Sequence, residues 1–400
     1  MIIQITNGKI ITRDSIRTDA DLCFETTGGK IIGLYPRHSP LAPTPDKTLD
    51  AHGLFVSPGF IDLHTHGAGG SDFLDCETDG FLKAAATHAC HGTTALLPTA
   101  TSGDLTELFE TIDVYRAAKR ENTTAAFLGL HLEGPYFAPS QKGAQDEAYV
   151  RGFNKDEYTR ILAYGGSDIR RWSAAPELAG AEEFAHTLTS HGVLPSIGHT
   201  DASEDDVAKA FEAGFTHVTH LYSCTSGVHR KNGLRYAGVI ECAYLNDRMT
   251  VEIIADGVHL PASLLKLVYK IKSAYSTALV TDSMRAAGMP EGESILGSKT
   301  HGLRVIVEDG VAKMPDRTCF AGSVATMDRL VRNMVYLAGV SLVDAVKMAS
   351  ETPARIIGET HKGALLPGYD ADIVLFDENI QIGTVIIGGK AVFYDQKRNV

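Results

Sequence analysis

The chain has 400 residues, 44% of them hydrophobic and 22% charged, and its formal net charge is -12 at pH 7. This length and composition predict a globular protein with one large domain and a smaller companion, each with its own core. The negative charge argues against a nucleic-acid or anionic-membrane partner, because either would require a basic face.

The spacing of the cysteines and the length of the apolar runs indicate the cellular compartment of the protein. The six cysteines form no C-x-x-C pair, which is typical of a reducing compartment and not of a zinc ribbon. The chain shows no basic segment followed by an apolar one at its start, and no apolar run reaches the roughly 18 residues of a membrane-spanning helix. We therefore expect a cytoplasmic protein.

Both ends of the chain have the composition of β-strands. Near the start, "MIIQITNGKIIT" and "KIIGLYP" are short runs rich in β-branched residues and punctuated by turn dipeptides such as Asn-Gly. Near the end, "ADIVLFD" and "GTVIIGG" show the same pattern. We predict that residues 1–54 and 360–400 together form one small β-domain.

Residues 55–359 alternate short apolar runs with amphipathic segments such as "ASEDDVAKAFEAG", several of which end in a glycine suited to a helix C-cap. This alternation predicts an α/β domain. The length of residues 55–359 suits a (β/α)8 TIM barrel, although a doubly wound sheet would show the same alternation. The eight candidate strands are "FVSPGFIDLHTH", "TTALLPTA", "AAFLGLHLEG", "RRWSAAPE", "GVLPSIGHT", "THVTHLY", "MTVEIIADGVHL" and "STALVTDSM".

Histidines and carboxylates recur where these predicted strands end. In a parallel barrel the carboxyl ends of all strands meet on one face, so side chains distant in sequence would come together there. This recurrence is the strongest functional pattern in the chain. The residues concerned are His64, His66, Glu133, His199, His220, Asp256, His259 and Asp282.

His64 and His66 are two positions apart, which on a strand places both imidazoles on the same side, as two ligands of one metal would be. Nitrogen and oxygen ligands of this kind suit zinc or ferrous iron. A metal with open coordination positions lowers the pKa of bound water, which predicts hydrolysis of an unreactive bond such as an amide. The alternatives are buried structural histidines and, for Asp282 in "TDSM", a helix N-cap. No nucleotide-binding glycine motif competes with this interpretation.

The ordered motifs "PGFIDLHTHG", "GLHLEGPYF", "IGHTDA", "THLY", "IADGVHL", "VTDS" and "PGYDADIVLFD" resemble the metal-dependent amidohydrolase superfamily and, within it, the N-acetylglucosamine-6-phosphate deacetylase family. The resemblance covers nearly the whole chain. It implies a TIM barrel that carries a β-sandwich built from both termini, one or two divalent metal ions, and a homodimer. Zinc is the favoured ion, with iron, cobalt or manganese as alternatives.

By position, the resemblance implies Glu133, His199 and His220 as the principal metal ligands and His64 with His66 as a second set. Asp282 would be the catalytic aspartate and also a metal ligand. The implied contacts to the sugar phosphate are Ala144, Gln145, Ser223, Cys224, Arg230, Lys231, His259, Phe320, Ala321 and Gly322.

Three segments depart from the family pattern. Ser223 and Thr225 replace an Asn and a Met that the family usually carries after "THLY", and Gln145 replaces a His that polarises the acetyl carbonyl in many members. The family's phosphate-binding "REPG" is replaced by "HRKNG", in which Arg230 and Lys231 keep the positive charge. Our hypothesis is that a second metal at His64 and His66 compensates for the missing histidine.

The resemblance implies deacetylation of an N-acetylated amino sugar phosphate, first of all N-acetylglucosamine 6-phosphate, to acetate and the free amino sugar phosphate. A related amidohydrolase could instead act on N-acetylgalactosamine 6-phosphate or an N-acyl amino acid, and the replaced segments keep that alternative open. A cyclic amidase or deaminase is disfavoured by the deacetylase-type motif around Glu133. A non-catalytic scaffold is disfavoured because every ligand position is filled.

Overall fold

The computed structural model describes residues 1–395, so positions 396–400 of the predicted C-terminal β segment lie outside the described residues. Parallel strands form the predicted barrel and confirm the (β/α)8 interpretation over the doubly wound alternative. A short strand, Ala126–Phe127, also pairs with the second barrel strand. The barrel strands are Phe60–Thr65, Thr93–Ala100, Leu130–Glu133, Ile169–Ala174, Leu194–Ile197, His217–Val218, Thr250–Ile253 and Thr277–Leu279.

Helices cover the outside of the barrel, and local sequence sets their ends. Ser203 caps the helix that follows the fifth barrel strand, because its hydroxyl accepts a hydrogen bond from the backbone of Asp206, and Gly214 ends that helix with φ 120°. Within residues 1–395 the α-helices are Thr78–Cys90, Leu105–Glu121, Lys155–Gly165, Ala181–Ser190, Glu204–Ala213, Val239–Leu245, Ala262–Ser276 with an irregular residue at Ser273, Met327–Tyr336, Leu342–Ala349 and Glu351–Ile356. None of these described helices is long and apolar enough to cross a membrane.

The barrel closes between its first and last strands. The backbone NH of Asp282 donates to the carbonyl of His64 at 2.8 Å. The buried carboxylate of Asp62 accepts hydrogen bonds from both the backbone and the hydroxyl of Thr281, at 3.1 and 2.5 Å. Closure therefore places the end of the eighth strand, which carries Asp282, directly beside the end of the first, which carries His64 and His66.

Two sheets built from both chain ends form the predicted β-sandwich. Apolar side chains from both sheets, such as Phe24 and Leu375, share one core. The sequence segment "FVSPGFIDLHTH" is divided at Gly59, since Phe55–Pro58 pairs within this domain and Phe60–Thr65 belongs to the barrel. In spatial order the sheets are Ile31–Pro36, Ala20–Glu25, Ile2–Thr6 and Lys47–Asp50, and Lys390–Tyr394, Ile382–Ile387, Ile373–Phe376, Phe55–Pro58, Lys9–Ile11 and Ile16–Arg17.

Three β elements interrupt the barrel and were not predicted. An antiparallel sheet follows the eighth strand and consists of Gly292–Leu296, Leu303–Glu308, Val311–Lys313 and Phe320–Ser323. An exposed hairpin, His229–Lys231 with Leu234–Tyr236, turns at Asn232 and Gly233, both with positive φ as a two-residue hairpin turn requires. A short pair, Gly67–Ala68 with Ser71–Asp72, follows the first barrel strand.

Candidate active site

Strand ends at one face of the barrel bring the predicted ligand residues together. Glu133 lies at the centre, and its Oε1 is 3.1 Å from His199 Nε2 and 3.0 Å from His220 Nε2. The same Oε1 is 3.4 Å from His64 Nε2, and Oε2 of Glu133 is 3.4 Å from His66 Nε2. These five side chains, all buried, form two possible metal-binding groups that share Glu133.

The outer contacts of His199 and His220 determine which ring nitrogen faces Glu133. Nδ1 of His199 faces the carbonyl of Gln141 at 2.9 Å, and Nδ1 of His220 faces the carbonyl of Ser223 at 3.1 Å. A carbonyl only accepts, so each Nδ1 carries a proton, and Nε2 is the ring nitrogen that each histidine directs at Glu133. These two Nε2 atoms are 3.2 Å apart.

This arrangement fits a divalent metal. Two imidazole nitrogens and a carboxylate oxygen converge in a buried space, where one cation can contact all three. In addition, the buried Nε2 of His64 has no hydrogen-bond partner. Two imidazoles and a carboxylate are a typical ligand set for zinc or another borderline transition metal.

Glu252 organises the layer behind these ligands. One of its carboxylate oxygens lies 3.0 Å from His64 Nδ1 and 3.2 Å from the backbone N of His220. The other accepts from Arg171 at 2.5 Å and lies 3.2 Å from His217 Nε2. A carboxylate on the outer nitrogen of a metal-binding histidine orients the ring toward the metal. Glu252 and Arg171 are not among the residues predicted from the sequence; the position of each charge within a predicted strand segment is the signal that could have revealed them.

Arg171 neutralises this carboxylate inside the barrel. It is fully buried, and its guanidinium also donates to Ser196, Thr219 and the carbonyl of Leu63, at 3.0, 2.8 and 3.2 Å. The opposite charge of Arg171 and the hydrogen bonds of the histidines outweigh burial and hold the pKa of Glu252 well below its usual value.

Arg171→Met is expected to destabilise the protein by about 3 to 5 kcal/mol, because it leaves the buried carboxylate of Glu252 without its cation. Urea and thermal unfolding would measure the change. Arg170→Met is the matched control: Arg170 lies next in the chain, partly exposed, and pairs with Glu359 at 3.3 Å, so we expect about 1 kcal/mol or less. Equal losses in the two variants would contradict this assignment of the ion pair.

Asp282 faces the first histidine pair. Its Oδ1 lies 3.0 Å from His66 Nε2 and 3.3 Å from His64 Nε2. It caps no helix among the described residues, so the structure does not support the N-cap alternative. Burial disfavours the charged form, but the attraction of His64 and the hydrogen bond of His66 outweigh burial and lower the pKa of Asp282. The carboxylate is therefore ionised and able to accept a proton.

The backbone at the site is strained. Asp282, His199 and His220 all have positive φ, at 46°, 50° and 26°. Side-chain-bearing residues rarely adopt this region, and where they do they cluster at functional sites. The surrounding hydrogen bonds hold these turns in place; for example, the carbonyl of Asp282 accepts from Ser323 N at 2.7 Å.

A cavity of about 540 Å³ opens onto these ligands. Several of the predicted substrate contacts do not line it: Ala321 is buried behind the surface, and Arg230 and Lys231 lie on the exposed hairpin. Among the predicted ligands, His64 is also buried behind the lining. The predicted site residues that do line the cavity are His66, Glu133, His199, His220, Asp282, Ala144, Gln145, Ser223, Cys224, His259, Phe320 and Gly322.

Gln145 and His259 are held in defined orientations at the cavity wall. The Gln145 amide accepts from Ser102 N at 3.0 Å and donates to Glu133 Oε2 at 2.9 Å, so it fixes the carboxylate of Glu133. His259 Nδ1 contacts Asp256 at 2.7 Å, and its ring lies against Phe320 with centroids 4.8 Å apart. Because Nδ1 of His259 contacts Asp256, Nε2 is the ring nitrogen that remains for another contact.

The chain is similar to known amidohydrolases over most of its length. Residues 55–392 match the model of the Amidohydrolase family. The chain is 33% identical to the N-acetylglucosamine-6-phosphate deacetylase of Lysinibacillus sphaericus, with 86% of each chain covered. It is 32% identical to the N-acetylgalactosamine-6-phosphate deacetylase of Escherichia coli O157:H7, with 88% of this chain and 91% of that one covered. The solved N-acetyl-D-glucosamine-6-phosphate deacetylase of Mycobacterium smegmatis superposes with a TM-score of 0.88 at 29% identity, over 98% of this chain and 100% of that one.

Proposed function

Because this chain belongs to the amidohydrolase family, and within it to the N-acetylglucosamine-6-phosphate deacetylases, we propose that it hydrolyses N-acetylglucosamine 6-phosphate to acetate and glucosamine 6-phosphate. The observation that carries the proposal is the buried Glu133 cluster, with Asp282 beside it, at the base of a cavity large enough for a small molecule. It supports metal-assisted hydrolysis of a linear amide.

Glu133, His199 and His220 would hold the principal ion, and His64 with His66 would hold a second one, with Asp282 beside it. We propose zinc for both, with iron, cobalt or manganese as alternatives. A divalent ion in such a site polarises the substrate carbonyl and makes water more acidic. Gln145 fixes Glu133 instead of supplying the charged donor that a histidine would offer, and we propose that the His64–His66 set compensates.

Asp282 would act as the general base and then the general acid. Its ionised carboxylate accepts the proton of the water that attacks the acetyl carbonyl. It then donates that proton to the amine nitrogen as the carbon–nitrogen bond breaks, so that acetate and the free amine leave. During this exchange the Asp282 carboxylate lies beside His64 and His66 and borders the cavity.

The proposed sugar contacts are the cavity residues Ala144, Ser223, Cys224, His259 and Phe320. The N-acetylgalactosamine 6-phosphate alternative rests on the relative from Escherichia coli O157:H7 and on the Ser223–Cys224 departure. We favour the gluco substrate because relatives from several other organisms carry that name. We further propose a cytoplasmic homodimer; the six cysteines are unpaired, as in a reducing compartment.

The test is acetate release by metal-loaded protein from N-acetylglucosamine 6-phosphate, its galacto epimer and unphosphorylated N-acetylglucosamine. We expect kcat/KM to be highest for the phosphorylated gluco substrate. We also expect turnover to be lost after chelation and restored by added zinc, because both histidine sets converge on Glu133. Higher kcat/KM for the galacto epimer would select the alternative. Poor activity of the fully metal-loaded protein on all three sugars would contradict the substrate assignment but not the assignment as a metal-dependent hydrolase.

A further inference from the structure

The cavity carries positive side chains from a part of the chain that the sequence motifs did not implicate. Lys313 ends the third strand of the antiparallel sheet that follows the barrel, and Arg317 lies in the turn before its fourth strand. Both line the same cavity as Glu133 and Asp282. Among the described residues they are the only Lys or Arg side chains that do so.

We propose that Lys313 and Arg317 form the phosphate-binding end of this cavity, so that cations of the same chain select the phosphorylated sugar. The inference rests on the proposed function and names the residues that would determine its substrate class. A guanidinium offers five donors in a planar fork that matches two phosphate oxygens, and an ammonium adds a compact charge. Together they suit a dianionic phosphate in a protein whose net charge is -12.

Both cations have donors to spare. Arg317 donates to the carboxylate of Glu308 at 2.9 and 3.3 Å and to the carbonyl of Pro315 at 2.8 Å, which leaves two of its N–H groups without a partner among residues 1–395. Lys313 Nζ lies 2.7 Å from Asp309 and 3.4 Å from Glu308. These carboxylates are partly or largely exposed, and exposed ion pairs contribute little stability. A phosphate can therefore replace Glu308 at small cost.

Arg317 is held in a tight turn at the cavity wall. Its φ is 58°, in the left-handed region, and its NH closes a turn onto the carbonyl of Met314 at 2.8 Å. Glycine or asparagine would adopt this conformation more easily than arginine.

Arg230 and Lys231 are the competing candidates. They lie on the exposed hairpin and do not line the cavity of their own chain. They would reach the phosphate only from a second copy. The two assignments therefore predict losses of selectivity in different variants.

The experiment compares glucosamine 6-phosphate with glucosamine by calorimetric binding to the metal-loaded protein, and the two N-acetylated sugars by kcat/KM. In Lys313→Met with Arg317→Gln, we expect the ratio between phosphorylated and unphosphorylated ligand to fall by about tenfold to a hundredfold per cation lost. Glu308→Gln is expected to raise the ratio, because it removes the carboxylate that competes with phosphate. If Lys313, Arg317 and Glu308 only stabilised the fold, their variants would not change this ratio in opposite directions.

Arg304→Gln is the matched control. Arg304 lies on the same sheet, pairs with Glu293 and does not line the cavity, so the ratio should not change. An unchanged ratio in the Lys313 and Arg317 variants, or a selective loss in Arg230→Gln with Lys231→Gln alone, would overturn the proposal. Because the binding arm does not depend on turnover, a wild-type protein that binds glucosamine 6-phosphate selectively but does not deacetylate would contradict only the proposed reaction.

Discussion

Asp282→Asn is expected to lower kcat by about 10³-fold to 10⁴-fold, in the upper range for the loss of one acid–base group. The amide that replaces the carboxylate has almost the same volume, but it neither accepts the proton of the attacking water nor returns it to the amine. The neighbouring Glu133, His199 and His220 are unchanged, so the principal metal should remain bound. Steady-state kinetics with elemental analysis of the same preparation would measure both quantities.

Asp205→Asn is the control for this experiment, because Asp205 lies exposed in the first turn of a surface helix and should leave kcat unchanged. KM and the thermal midpoint of Asp282→Asn should also remain close to those of the wild type. Retained turnover in Asp282→Asn would refute the assignment of the catalytic aspartate. Loss of the metal together with turnover would mean that Asp282 acts chiefly as a ligand.

The second large effect is expected when the two ligand groups are removed separately. Glu133 belongs to both groups, so Glu133→Gln should lose all bound metal and, with it, at least about 10³-fold in kcat, since metal catalysis contributes several kcal/mol. His64→Asn with His66→Asn removes only the second group. We expect this variant to keep the ion at His199 and His220 but to lose most of its turnover.

Metal stoichiometry by elemental analysis and acetate release would test these expectations side by side. Gln145→His in the His64→Asn, His66→Asn background offers a specific rescue, because it restores a residue that can polarise the carbonyl. Partial recovery of kcat would support the compensation that we propose. A fully active His64→Asn, His66→Asn variant would contradict it.

Much of the barrel could be predicted because its determinants are local. The cap at Ser203 and the glycine at Gly214 mark a helix by backbone chemistry within a few residues, and the apolar runs mark strands in the same way. The division at Gly59 was not predicted, because Phe55–Pro58 and Phe60–Thr65 follow each other directly and both have the composition of a strand. Only their different pairing partners separate them into two domains.

The sequence by itself determined the α/β class, the eight strand segments and the residue types at their ends, since these depend on periodicity and on neighbours along the chain. Only the tertiary structure decided which charges meet. Glu252 and Arg171 are 81 positions apart yet form a buried pair, and Lys313 with Arg317, instead of Arg230 with Lys231, line the cavity. The physical reason is that electrostatic contacts depend on distance in space, which barrel closure and the added sheet create between segments remote in sequence.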